Sequence, residues 1–214
     1  MTRLAVFDLD STLIHEEMIN EFASVAGKRK TIERMTRNAN LRAEQKEALK
    51  KRVRLLKGAR VEDIKAKARS LRFRKHFPEM VQWFESRGFR MALITGAFWM
   101  GIQELKRKHK ELEHFDYIEC NHLQIRQGKL TGKVLSNVSG NKEKLLLKLQ
   151  KKTGATKQNT LVMGDSMSDA RMFKHAKIGI AFQPANPRVK KAASHVIESG
   201  DLLDVIKIAE KEYA

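Results

Sequence analysis

Four short apolar runs, separated by helical patterns, constrain the fold more than any other feature of the sequence. They occupy residues 4–7, 89–94, 160–163 and 177–181. Continuous apolar runs of this length are typical of strands that are buried on both faces. When such strands alternate with helices, they form a parallel sheet that helices cover on both sides. The sequence therefore predicts an α/β fold, a Rossmann-like three-layer core built around a parallel sheet.

Residues 14–75 interrupt this alternation. Apolar residues recur there at helical spacing in three groups: Ile14, Met18, Phe22 and Val25; Leu49, Val53 and Leu56; Val61, Ile64 and Ala68. We expect about four short helices and no strand in this segment. We therefore assign residues 1–14 and 76–214 to the core and residues 15–75 to a helical cap. Alternating runs on either side of Gly128 predict a β-hairpin over residues 117–135.

The positive charge of the chain is concentrated in the predicted cap. The whole sequence has a net charge of +18, and residues 28–75 alone contain 19 Lys and Arg against 5 Asp and Glu, a net charge of +14. Arg34 and Arg37 share one helical face, as do Lys46, Lys50 and Arg54. The segment is either a surface that faces an anionic partner or a solvated face that attracts anions only weakly.

Composition excludes several classes of protein. No window approaches 18 uninterrupted apolar residues, so we expect no membrane span. Asp8 ends the first apolar run before it reaches the length of a signal peptide. The single cysteine, Cys120, excludes an internal disulfide and a cysteine metal site. We therefore expect a cytoplasmic protein.

Polar clusters follow three of the four predicted strands. They supply four carboxylates: Asp8, Asp10, Asp165 and Asp169. The carboxyl ends of parallel strands line one crevice, so these groups are expected to meet there together with Thr95 and Gly96. Like charges that approach closely need a cation between them, and a set of oxygen ligands without Cys or His favours Mg²⁺ over Zn²⁺.

Lys142 lies at the start of a predicted helix, after Ser139, Gly140 and Asn141. A lysine beside free helix N–H groups forms an anion site. Together with a metal and a hydroxyl, such a site is suited to a phosphoryl group. One carboxylate is then available to attack phosphorus, and a second, two residues later, can move the proton.

At this point the sequence resembles the haloacid dehalogenase superfamily of phosphotransferases, and within it the phosphoserine phosphatase branch. The superfamily motifs occur in the expected order: Asp8-Leu9-Asp10-Ser11-Thr12, Thr95, Lys142 and Gly164-Asp165-Ser166-Met167-Ser168-Asp169. Further segments are similar to the branch: Glu17, Lys51-Arg52-Val53, Gly128-Lys129-Leu130-Thr131-Gly132 and Met172-Phe173-Lys174. The resemblance implies a Rossmann-like core with a helical cap inserted after the first motif.

The resemblance also implies a role for each matching residue. Asp8 would be the nucleophile and Asp10 the general acid and base. Mg²⁺ would be held by Asp8, the main-chain carbonyl of Asp10 and Asp165, with Asp169 supporting the site through water. The phosphate would be held by Thr95, Gly96 and Lys142. Glu17 and Arg52 would take the amino and carboxylate groups of phosphoserine.

The sequence departs from the branch at four places. Thr95-Gly96-Ala97 replaces the usual Ser-Gly-Gly, and Ser168 replaces an Asn. Asn40 and Gln45 stand where the branch has apolar residues in the cap. These changes spare the phosphoryl machinery and bear on the substrate.

We therefore expect a Mg²⁺-dependent phosphomonoesterase that works through an aspartyl-phosphate on phosphoserine or a similar small phosphate ester. Two alternatives stay open. One is a phosphatase of nucleotides or of phosphorylated macromolecules. The other is a nucleic-acid-binding protein that uses the basic cap, and weak non-specific binding of nucleic acid is compatible with all three. Salt dependence of binding separates them.

Overall fold

A computed structural model describes residues 2–38 and 45–213. Its strands and helices alternate as follows: β1 (Arg3–Phe7), α1 (Met18–Val25), α2 (Arg29–Asn38), α3 (Gln45–Arg54), α4 (Val61–Arg69), α5 (Phe77–Ser86), β2 (Phe89–Phe98), α6 (Trp99–Lys108), β3 (Phe115–Arg126), β4 (Lys129–Leu135), α7 (Lys142–Thr153), β5 (Thr160–Gly164), α8 (Met167–Phe173), β6 (Ile178–Phe182), α9 (Pro187–Ala192), β7 (His195–Ile197) and α10 (Leu203–Glu212).

The seven strands form one sheet in the order β4-β3-β2-β1-β5-β6-β7. Every neighbouring pair is parallel except β3 and β4, which form the predicted hairpin. Strand β1 lies at the centre, with Leu4 opposite both Arg90 of β2 and Thr160 of β5. The sheet order reverses at β1, so the carboxyl ends of β1, β2 and β5 meet at one crevice.

Side chains of β1 divide the core into two layers, one on each face of the sheet. Ala5 and Phe7 belong to the cluster packed against α5, α6 and α10, whereas Leu4 and Val6 belong to the cluster packed against α7, α8 and α9. This is the period of two that a strand imposes on its side chains. The predicted three-layer α/β fold is thus confirmed.

Two of the predicted boundaries differ from the structure. Strand β2 does not stop at Thr95 but continues to Phe98, with an irregular register against β3 between Ile94 and Phe98. Ile14, predicted on the face of the first cap helix, lies before that helix and forms an antiparallel bridge with Phe73. A short apolar run cannot by itself reveal a bulge, and helical spacing cannot show where a helix begins.

Four helices, α1 to α4, lie between β1 and α5, and within the described part of residues 15–75 there is no strand. Helices α1 and α4 pack on α6: a Cβ added to Gly101 would lie 2.3 Å from Sδ of Met18, and Arg69 pairs with Glu104 at 2.7 Å. The turn after α3 contacts the hairpin, where Gly58 N–H donates to the carbonyl of Leu130 at 2.9 Å. The division into a core of residues 1–14 and 76–214 and a separate cap of residues 15–75 stays a prediction.

Among residues 2–38 and 45–213, no helix has both the length and the apolar character needed to cross a bilayer.

Candidate active site

Asp8 is placed at the crevice by the end of β1. Its N–H donates to the carbonyl of Met163 on β5 at 3.0 Å, and its Oδ1 accepts the N–H of Leu9 at 2.8 Å. The chain then makes a tight irregular turn in which Ser11 has a φ of 57°. This left-handed conformation is uncommon for a residue with a side chain. The turn brings Asp10 to the same cavity as Asp8.

Carboxylates from distant parts of the chain gather beside Asp8, as predicted. Oxygen atoms of Asp8, Asp165 and Asp169 all lie within 4.8 Å of one another. The cavity next to them has a volume of about 170 Å³. Its lining contains seven of the predicted site residues: Asp8, Asp10, Glu17, Arg52, Gly96, Lys142 and Asp165.

Lys142 is buried between two of these carboxylates. Its Nζ lies 2.9 Å from Oδ1 of Asp8 and 2.8 Å from Oδ1 of Asp169. Burial opposes the charge of the ammonium, but Asp169 and Asp8 outweigh it and hold the pKa of Lys142 above its usual value. Lys142 therefore stays charged and binds both carboxylates at once.

Asp169 is fully buried and is held entirely by protein groups. Its Oδ2 accepts the N–H of Ser166 at 3.0 Å and the hydroxyl of Ser166 at 2.5 Å, which caps the start of α8. Its Oδ1 accepts from Lys142. A Cβ on Gly164 would lie 2.3 Å from Cγ of Asp169, so the last residue of β5 must be glycine for this packing. Asp169 is thus fixed in place, while Asp8 and Asp165 have freer oxygens.

Asp8, Asp10 and Asp165 line the same cavity, and the single positive charge of Lys142 cannot balance three carboxylates. Burial, followed by repulsion from Glu17 and Asp8, raises the pKa of Asp10 well above its usual value. Burial and repulsion from Asp8 and Asp169 do the same for the pKa of Asp165. Burial raises the pKa of Asp8 to about 6, although Lys142 opposes the shift. A divalent cation among these groups would relieve the repulsion.

The donor atoms present fit such a cation. Oδ1 of Asp10 is buried and has no hydrogen-bond partner within residues 2–38 and 45–213. The hydroxyl of Thr12 donates to Oδ1 of Asp165 at a long 3.5 Å. The atoms of Asp8, Asp165 and Asp169 that could act as metal ligands are carboxylate oxygens, which suit a hard cation.

Two predicted phosphate-binding residues, Thr95 and Gly96, are neighbours on β2 but differ in exposure. Gly96 is exposed to the cavity. Thr95 is fully buried, and its hydroxyl accepts the N–H of Ala97 at 3.1 Å. Gly96 is therefore the part of β2 that a ligand in the cavity would meet.

Glu17, which directly precedes α1, and Arg52, on α3, both reach the cavity. Oε1 of Glu17 accepts the hydroxyl of Ser11 at 3.0 Å. Nη1 of Arg52 donates to the hydroxyl oxygen of Thr36 at 2.9 Å. Burial raises the pKa of Glu17, and burial lowers the pKa of Arg52 while Glu17 and Asp10 oppose that shift. The two side chains thus offer one acidic and one basic group to a ligand.

A family model for haloacid dehalogenase-like hydrolases matches residues 5–174. The chain belongs to this family. A phosphoserine phosphatase of Methanocaldococcus jannaschii is 33% identical over 210 residues, which cover 96% of each chain. One from Streptococcus thermophilus is 34% identical over 213 residues, which cover 97% of this chain and 96% of the other.

Solved structures of the same branch are similar along their whole length. A phospho-aspartyl intermediate analogue of phosphoserine phosphatase has a TM-score of 0.88 and 31% identity, with 97% of this chain and 98% of the other covered. A substrate-bound phosphoserine phosphatase complex has the same TM-score and 30% identity. These comparisons confirm the predicted resemblance: the chain is a haloacid dehalogenase-like phosphoric monoester hydrolase of the phosphoserine phosphatase-like branch.

Six further residues line the cavity of this hydrolase, and two of them, Thr36 and Val138, belong to no segment that the sequence analysis singled out. Thr36 lies within α2, lines the cavity and accepts a hydrogen bond from Arg52 of α3. No motif marks either residue, since their role depends on which helix and loop lie next to them. Asn40 lies outside the described residues, as does the side chain of Gln45.

Proposed function

We propose that this protein is a Mg²⁺-dependent phosphatase that hydrolyses phosphoserine, or a closely similar small ester, through an aspartyl-phosphate on Asp8. One observation carries the proposal: a single cavity of about 170 Å³ is lined by Asp8, Asp10 and Lys142 and also by Glu17 and Arg52. The first three residues suit a phosphoryl group. The other two suit the ammonium and carboxylate of an amino acid.

In the first step, a carboxylate oxygen of Asp8 attacks phosphorus. The bond between this oxygen and phosphorus forms while the ester P–O bond breaks, and Asp10 gives its proton to the leaving oxygen. Leu9 N–H and Lys142 both donate to Oδ1 of Asp8 and so fix the orientation of the attacking carboxylate. Burial, followed by repulsion from Glu17 and Asp8, raises the pKa of Asp10, which is the direction that a proton donor requires.

In the second step, water attacks the phosphorus of the aspartyl-phosphate. Asp10, now ionised, takes a proton from this water, and the bond between Asp8 and phosphorus breaks. Inorganic phosphate and the free carboxylate of Asp8 result. Lys142 and Gly96 contact the phosphoryl oxygens, with Thr95 supporting Gly96 from within the strand.

Mg²⁺ would be held by Asp8, Asp165 and the main-chain carbonyl of Asp10, with Asp169 supporting the site through water. When bound, the ion supplies positive charge to the phosphoryl oxygens and relieves the repulsion among the carboxylates. Oxygen donors without Cys or His favour it over zinc.

The part of the substrate away from phosphorus would be recognised by residues at and before the helices of the 15–75 segment. Arg52 would bind the carboxylate of phosphoserine and Glu17 its ammonium group, and Thr36 would hold the guanidinium of Arg52 in place. Because this acid–base pair lies inside a small cavity, a small amino-acid ester fits better than a nucleotide or a phosphorylated macromolecule. The names of the relatives, phosphoserine phosphatases, support the same choice.

The test is release of inorganic phosphate from a panel: phosphoserine, phosphothreonine, p-nitrophenyl phosphate, AMP and a 5′-phosphorylated oligonucleotide. Each is assayed with Mg²⁺, with EDTA, and with EDTA followed by excess Mg²⁺. We expect phosphoserine to have the highest kcat/KM, EDTA to abolish turnover and Mg²⁺ to restore it. A preference for AMP or for the oligonucleotide would overturn the substrate assignment, and full turnover after chelation would remove the metal.

The nucleophile is tested with Asp8→Asn, which keeps the shape of the side chain and removes the attacking oxygen. Turnover should collapse on every substrate, while the unfolding transition stays cooperative. Near-normal turnover in this variant would rule out the covalent route.

A further inference from the structure

The side chain of Asn121 is fully buried and bonds two segments that line the active-site cavity from different parts of the chain. Its Nδ2 donates to the carbonyl of Gly96 at 2.8 Å. Its Oδ1 accepts the N–H of Val138 at 3.4 Å. Asn121 itself is not among the residues that line the cavity.

The hydrogen bond to Gly96 compensates for the irregular register between β2 and β3. Ile94 is paired with Glu119 and Phe98 with Asn121, so β2 has two more residues than β3 between these pairs. The extra residues bulge out of the ladder, and the carbonyl of Gly96 needs a donor from elsewhere. The amide of Asn121 provides it and so sets how Gly96 faces the cavity.

The bond to Val138 fixes the second segment. Val138 begins the cavity-lining stretch that continues through Ser139 and Gly140 to Lys142. The carbonyl of Val138 accepts the N–H of Asn141, just before α7. One amide thus links the Gly96 side of the site to the loop that places Lys142. Gly96 presents an acceptor and Val138 a donor, and a neutral amide is the side chain that satisfies both.

We propose that Asn121 is a positioning residue for phosphate-ester hydrolysis, which holds Gly96 and the loop of residues 138–140 at the spacing that the phosphoryl group requires. The inference rests on the proposed function, because it takes these two segments as the phosphate-binding walls. Asn121 acts through them and touches no substrate atom. Its loss therefore changes the reaction at phosphorus and not recognition of the rest of the substrate.

The test compares Asn121→Leu with a matched control, Gln150→Leu. Gln150 is also a buried amide with two hydrogen bonds, to the hydroxyl of Thr160 at 3.0 Å and the carbonyl of His175 at 2.8 Å, but it does not line the cavity. Urea unfolding, kcat and KM for phosphoserine and p-nitrophenyl phosphate, and the inhibition constant of inorganic phosphate are measured for both variants.

We expect both variants to lose stability. Only Asn121→Leu should lower kcat, by a factor on the order of 10 to 100 and equally on both substrates, and weaken inhibition by inorganic phosphate. Equal kinetic losses in the two variants, or a change within twofold in Asn121→Leu, would overturn the positioning role. Absence of turnover in the unsubstituted chain would instead overturn the proposed function, and this role with it.

A second variant covers the case in which Asn121→Leu does not fold. In Asn121→Asp the introduced carboxyl group keeps the acceptor for Val138, but it can donate to Gly96 only when protonated. Its activity relative to the unsubstituted enzyme should therefore rise as pH falls. A ratio that does not change with pH would contradict the need for a donor to Gly96.

Discussion

Arg52 is held by hydrogen bonds that leave part of its guanidinium group facing the cavity. Nη1 donates to Thr36 and Nε to the carbonyl of Ala48, one turn earlier in α3. Glu17 and Asp10 lie near enough to support its charge. An arginine restrained in this way is prepared for a carboxylate, because little side-chain freedom is lost on binding.

We predict that Arg52→Ala lowers kcat/KM for phosphoserine by a factor on the order of 10 to 100, as for loss of a charged hydrogen bond. p-Nitrophenyl phosphate has no carboxylate and serves as the control substrate, which should be hydrolysed at a nearly unchanged rate. Steady-state kinetics on both substrates provide the measurement. Equal losses on the two would mean that Arg52 binds the phosphate or supports the fold.

The single thiol gives a second prediction at this scale. Cys120 is 3% exposed, and burial followed by repulsion from Glu119 raises the pKa of its thiol to about 12. Only the thiolate is reactive, and burial disfavours that charged form in the folded chain. We expect Cys120 to react with a thiol reagent only when the chain unfolds, so its labelling rate in urea should follow the unfolding transition. Rapid labelling of the folded enzyme would contradict this.

At the scale of the element, the junction of β5 and α8 brings the end of a strand against the start of a helix. Gly164 ends the strand, and Asp169 in the first turn of the helix occupies the space where a Cβ would be. The hydrogen bonds from Lys142 and Ser166 hold this carboxylate in place. Gly164 therefore permits the close contact with Asp169 on which these hydrogen bonds depend.

We predict that Gly164→Ala destabilises the fold by about 1 to 3 kcal/mol, as for overpacking, and also lowers kcat because Asp169 and then Lys142 must move. Gly179→Ala is the matched control: its Cβ would lie 2.6 Å from Cβ of Phe173, a similar clash at the far end of α8. Urea unfolding should show comparable losses of stability for the two variants, with turnover reduced more by Gly164→Ala. A larger loss of turnover in Gly179→Ala would contradict the role of this contact.

Features that depend on residues close together in the sequence could be predicted, whereas features that depend on contacts between distant residues could not. Strands β1, β5 and β6 were predictable because buried strands are continuous apolar runs. The meeting of Asp8 and Asp165 in one crevice was predictable because each follows such a run directly. The bulge in β2 was not, since it depends on the register of β2 against β3. Thr36 and Asn121 were missed for the same reason: each acts on a residue that is distant in sequence, and no local pattern encodes that partner.

At the scale of the whole molecule, the positive charge of residues 28–75 is partly balanced by acids outside that segment. Arg29 and Lys67 both pair with Glu21, at 2.7 and 2.8 Å, and Arg69 pairs with Glu104. Other basic residues of the segment are exposed: Lys28, Lys30, Arg34, Lys46, Lys51, Arg54 and Lys57. The net charge of residues 28–75 counted from the sequence therefore overstates the positive potential of this surface, because it omits Glu21 of α1 and Glu104 of α6.

We therefore predict weak, sequence-independent nucleic-acid binding at low salt that is lost near physiological salt. Exposed Lys and Arg neutralise phosphates and release counterions, so log K should fall by about 0.9 per phosphate contact for each decade of salt. Duplex and single-strand affinities at two salt concentrations provide the measurement. Submicromolar binding that persists at ~0.15 M salt would favour a macromolecular substrate instead.

The chain leaves the sheet and returns to it at nearly the same point. Leu13 accepts a hydrogen bond from the N–H of Arg74 at 2.8 Å, His15 donates to the carbonyl of Arg72 at 3.0 Å, and Ile14 and Phe73 are bridged. The two ends of the segment that contains α1 to α4 are therefore held together, while the helices between them also contact α6 and the hairpin. Because the ends meet in this way, we expect the chain between residues 14 and 73 to tolerate changes of length and charge, as long as the surfaces of α6 and the hairpin that it contacts stay covered. Such changes would alter the part of the cavity that Glu17, Thr36 and Arg52 line and leave Asp8, Asp165 and Lys142 in place.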